Sequence, residues 1–140
     1  MNKTNNTIQK DIKIYIQRNE VYLVNLLSEP IIEITYSTFS MLTGDDAIAI
    51  SSAPHYRIKD LPAQHCIHLE TLDGWEDGTI YYQIQSLSTA SFSSDEVWTL
   101  DKKQLSGIVK LPPLVTSNIE KIKTEDHFIV PTPKEDKTTK

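Results

Sequence analysis

The chain has 140 residues, 39% of them hydrophobic and 24% charged, a composition that makes one globular domain with its own core rather than a disordered or membrane-spanning chain. Its formal net charge is −5 and its only arginines are Arg18 and Arg57, a balance that repels phosphate backbones and argues against nucleic-acid binding. The lone Cys66 forbids an internal disulfide, and with no apolar leader or membrane-length apolar run the expectation is a cytoplasmic chain with no membrane partner.

Along the chain, Ile12, Ile14 and Ile16 alternate with Lys13, Tyr15 and Gln17, the period-two pattern of a half-buried strand. Arg18-Asn19 reads as a tight connection into EVYLVNLL (20–27), which is apolar on both faces and therefore expected to lie centrally or to be covered on both sides. After Pro30 comes IIEITYST (31–38), a strand rich in β-branched residues, and Gly44-Asp45-Asp46 carries turn chemistry. HYRIKD (55–60) places Tyr56 and Ile58 on one face and Arg57 and Lys59 on the other. Pro62 marks a turn, and residues 65–72 form the next strand.

Two Asp-Gly pairs, 73–74 and 77–78, bracket Trp75 and lead into TIYYQIQS (79–86). There Ile80, Tyr82 and Ile84 share the expected core face. LSTASFSSD (87–95) reads as a polar loop and EVWTL (96–100) as a short strand. Asp101 suits the cap of a helical turn over 102–105, and GIVKL (107–111) is the last strand before Pro112-Pro113. Ser117 to Glu120 has capping-box spacing, which predicts a short helix over 118–124.

These elements predict an all-β fold of about 6–8 strands, either a single antiparallel, immunoglobulin-like sandwich or a small barrel, with one short C-terminal helix. The domain is expected over 1–124, with a tail over 125–140 that is largely disordered after 130.

The chemistry concentrates in QHCIHLETLDGW (64–75). On a regular strand Cys66, His68 and Glu70 share one face, and Ile67 and Leu69, facing the core, point that trio outward. Thiolate, imidazole and carboxylate all bind zinc, but alternate strand residues lie roughly 6.5–7 Å apart, so a closed site needs a bulge or a ligand such as His55 or Glu33 from elsewhere. The expectation is no metal and no cofactor. DGWEDG (73–78) resembles a calcium loop, yet Trp75 and Ile84 stand where oxygen ligands are required. The four glycines form neither a dinucleotide fingerprint nor a phosphate loop.

The reading with the broadest support is a non-enzymatic β domain that recognises another protein, with Trp75 and the apolar triplet Phe128, Ile129 and Val130 as contact candidates. One alternative is a metal- or thiol-dependent enzyme centred on Cys66, His68 and Glu70. Another is an acidic immunity or inhibitor protein.

Overall fold

The computed structural model describes residues 8–43, 47–72, 80–107, 110–126 and 128–131. In chain order the strands are β1 (Ile12–Gln17), β2 (Glu20–Asn25), β3 (Ile31–Thr43), β4 (Ala47–Ile50), β5 (Ala53–Leu61), β6 (His65–Thr71) and β7 (Ile80–Thr89). They continue as β8 (Ser93–Ser94), β9 (Trp98–Thr99), β10 (Lys102–Gln104), β11 (Leu114–Val115), β12 (Glu120–Glu125) and β13 (Phe128–Pro131). Sheet one has the order β10-β1-β2-β6-β11. Sheet two has the order β12-β5-β3-β4-β13, with β7 on the other side of β3 and β8 and β9 paired to β7. The result is two sheets that do not close into a barrel, an all-β, sandwich-like fold.

Sheet one starts from a local hairpin. Arg18 and Asn19 take left-handed φ values of 51° and 68°, the two-residue turn whose twist matches paired strands. That turn sets Tyr15 opposite Tyr22 and Ile14 opposite Leu23. Ile12, Ile14, Val21, Leu23 and Ile67 thereby face inward and are fully buried, meeting Ile34, Ile58, Tyr82, Ile84 and Leu87 of sheet two. Burial of each such side chain contributes about 1.5–3 kcal/mol, which makes this inter-sheet layer the main source of stability.

The alternation read in β7 holds from Ile80 through Ile84. The register against β3 then slips, with Ser86 opposite Thr35 but Ile84 opposite Tyr36, so Gln85 is a bulge and Leu87 returns to the core face. At the far end of β5, the buried Asn25 side chain donates to the Leu61 and Pro62 carbonyls, and Gln64 donates to those of Leu26 and Leu27. These bonds anchor the turn that launches β6.

Several expectations are corrected. The helix over 118–124 is replaced by β12, an edge strand antiparallel to β5, because strand pairing and the Arg57–Glu120 bond at 3.1 Å outweigh the weak preference of a seven-residue segment for helix. The helical turn at 102–105 is β10, which pairs parallel with β1 from Ile14–Lys102 to Ile16–Gln104. With β11 also parallel to β6, the sandwich is not purely antiparallel. Gly107 (φ 74°), Lys110 and Leu111 are not in a strand, Ile108 and Val109 lie outside the described residues, and strand pairing begins only after the prolines at Leu114.

Phe128–Pro131 pair with β4, continuing without a slip the register that β12 makes from Lys123–His55 to Glu125–Ala53. Among the described residues, no helix is long and apolar enough to cross a membrane.

Candidate functional site

The trio Cys66, His68 and Glu70 does not share a face. Along β6, His68 lies opposite Tyr22 but Glu70 lies opposite Val21, so Leu69 is an extra residue, a bulge that inverts the alternation after it. Glu70 therefore turns inward, where its Oε2 accepts a 2.6 Å hydrogen bond from the buried Tyr82 hydroxyl. Burial raises the Tyr36 and Tyr56 phenols above their ordinary range, and the Glu70 charge adds to that rise. The outward trio expected from simple alternation is thus divided, with Glu70 serving the core.

Cys66 points outward and is nonetheless fully buried. Its amide donates to the Pro113 carbonyl at 2.9 Å and its thiol to the Pro112 carbonyl at 3.3 Å, so the proline segment covers it. Burial pushes the thiol pKa up, the opposite of what a nucleophilic cysteine requires. His68 remains half-exposed, with Nε2 2.7 Å from Glu20 Oε1, and the same oxygen accepts a 2.6 Å bond from Thr71 Oγ1. The Thr71 hydroxyl and then His68 hold Glu20 below the usual carboxylate range. The His68 ring meets Tyr22 edge-on, with centroids 5.4 Å apart.

The registers of sheet one carry this contact into a row. Lys103 is opposite Tyr15, Tyr15 opposite Tyr22, and Tyr22 opposite His68, across four consecutive strands. Their partners on the other face, Ile14, Ile16, Leu23 and Ile67, are in the core, so all four members of the row point outward. Burial, followed by the nearby Glu20 charge, raises the Tyr22 phenol pKa. Beside the row lies a groove of about 490 Å³ between Tyr15 and Lys103 on the sheet and Lys110 to Pro113 above it.

His55 and Glu33 stand elsewhere, on the outward face of sheet two. His55 Nε2 is 3.1 Å from Glu125 Oε1, and Arg57 lies between Glu120 at 3.1 Å and Glu33 at 3.6 Å. Neither joins Cys66 or His68. No group of three or more His, Cys, Asp or Glu side chains among the described residues is arranged to hold a metal ion. Trp75 lies outside the described residues, and Phe128, Ile129 and Val130 lie in β13 opposite Ile50, Ala49 and Ile48 of the same chain.

Sequence reasoning singled out His68 but missed Tyr15, Tyr22 and Lys103. The hairpin centred on Arg18-Asn19 was enough to set Tyr15 against Tyr22. No local signal places Lys103 beside them, because β10 reaches β1 from far along the chain. Compared with known proteins, the chain matches no family model, no curated protein and no solved structure.

Proposed function

We propose that this chain is a non-enzymatic recognition domain that binds a protein partner through the outward face of sheet one. The observation that carries the reading is the row Lys103–Tyr15–Tyr22–His68, held in register on rigid strands beside a groove. Tyrosines on a fixed scaffold offer large contact area with little side-chain entropy to lose, and tyrosine is enriched where proteins meet. The net charge of −5 favours a protein over a nucleic acid as partner, and the lone thiol suits a reducing, cytoplasmic setting.

The thiol- or metal-dependent enzyme has less support, because Cys66 is covered, its pKa is raised, and Glu70 bonds on the opposite face. Affinity capture with tagged wild-type protein and with a Tyr15→Ser/Tyr22→Ser variant tests the proposal. Both tyrosines lie outside the core, so the variant keeps its fold by circular dichroism. The expected result is a partner retained by the wild type and lost by the variant. Equal capture by both, or turnover of a substrate by the purified protein, would refute the reading.

A further inference from the structure

We infer that the groove beside the tyrosine row takes an extended, acidic peptide segment of the partner protein, an inference that rests on the recognition reading above. The groove exists because of the connectivity. The chain leaves β10 at one edge of the five-stranded sheet and enters β11 at the other, about 19 Å away across four strand spacings. Leu105 is buried at the start of that crossing, and Pro112 covers the Cys66 thiol at its end. Lys110 to Pro113 therefore form one wall and the sheet the other, with a volume of about 490 Å³.

The lining favours a particular chemistry. Tyr15, Leu105 and Leu111 supply apolar surface for side-chain anchors. Pro112 and Pro113 form a stiff wall that loses almost no conformational freedom when a ligand seats against it. Gln64 also lines the groove, but its amide is committed to the Leu26 and Leu27 carbonyls at the turn that launches β6.

The two charged lining residues among those described are both cations, Lys103 and Lys110. Neither makes an ion pair or hydrogen bond among the described residues. In a chain carrying 19 acidic against 14 basic residues, a groove whose described lining has two uncommitted ammonium groups and no carboxylate is locally opposite in sign to the whole. Its complement is an extended segment that carries both carboxylates for the lysines and apolar side chains for Tyr15 and Leu111. Two point charges are few for a phosphate backbone, whose binding strengthens with each phosphate neutralised. The peptide is therefore the better fit.

The test uses the full chain and fluorescence anisotropy with a labelled, end-capped eight-residue peptide alternating glutamate and leucine. Controls are the lysine–leucine counterpart and an eight-nucleotide oligothymidylate. The expected result is saturable binding of the acidic peptide alone, weakened about ten-fold or more in Lys103→Glu/Lys110→Glu and weakened again by raised salt. Absence of binding, equal binding by the charge-reversed variant, or tighter binding of the oligonucleotide would overturn the inference. The capture experiment separates the two proposals. A partner lost with the tyrosine variant but kept by the lysine variant leaves the recognition reading standing and sinks the acidic-segment inference. A partner kept by both variants sinks both.

Discussion

Removing the Tyr82 hydroxyl tests the bulge that divides the Cys66, His68 and Glu70 trio. Tyr82 is fully buried, and its hydroxyl lies 2.6 Å from Glu70 Oε2. Tyr82→Phe keeps the ring and its packing, so the transfer energy of the side chain is almost unchanged. What is lost is a hydrogen bond to a charged acceptor, worth about 1.5–3 kcal/mol where the carboxylate cannot recover its solvation. Glu70 is half-buried, so the lower part of that range applies, about 1.5–2 kcal/mol. For a chain of this size each kcal/mol moves the melting temperature by roughly 2–4 °C, which gives a fall of about 3–8 °C.

Urea denaturation of wild type, Tyr82→Phe, Glu70→Gln and the double variant completes a cycle in which the pair shows a coupling of about 1 kcal/mol or more. If Leu69 were not a bulge, Glu70 would point to solvent beside His68. Tyr82→Phe would then cost under about 0.5 kcal/mol and the coupling would vanish. That result would refute the assignment of Glu70 to the core.

Three further outcomes follow from the same geometry. Ile84→Ala removes a fully buried side chain between the sheets and costs about 2–5 kcal/mol in denaturant titration, whereas Gln83→Lys on the outward face stays within about 0.5 kcal/mol. Cys66 reacts with a thiol reagent about 100-fold or more slowly in the native protein than in denaturant, since burial and a raised pKa both suppress the thiolate; equal rates would mean that the proline segment does not cover it. Glu20 has a lowered carboxyl pKa, so its contribution to stability is present above the ordinary glutamate range and is lost as pH falls through the lowered value. The stability gap between wild type and Glu20→Gln, measured by denaturation at a series of pH values, therefore narrows on acidification. A gap that widens would contradict the Thr71 and His68 bonds.

What the sequence disclosed about the fold depended on how local the determining contacts are. The alternation of Ile12, Ile14 and Ile16, and that of Ile80, Tyr82 and Ile84, each read correctly because a half-buried strand writes its two faces into consecutive residues. Arg18-Asn19 was legible as a tight connection for the same reason. The two segments expected as helical found partners distant in sequence. Lys102–Gln104 and Glu120–Glu125 have sequences compatible with a helical turn or short helix, and become strands because β1 and β5 present unpaired edges to them. The bulge at Leu69 has no glycine or proline to mark it, and shows only when β2 fixes the register.

The candidate site divides along the same line. His68 stood out through its chemistry, while Tyr15 passed as an ordinary outward residue of an alternating strand and Tyr22 as part of a run apolar on both faces. The row they form with Lys103 depends on a parallel pairing that no pattern within β1 or β10 encodes.

The central claim, that the outward face of sheet one is the recognition surface, is tested most directly by hydroxyl-radical footprinting of the chain free and bound to its captured partner. On binding, Tyr15, Tyr22 and His68 are expected to lose oxidation by several-fold, while Phe92 and Trp98, which pack against the core from sheet two and its loops, keep their free-state rates. Protection that falls instead on Phe128 in β13, with Tyr15 and Tyr22 unchanged, would contradict the account.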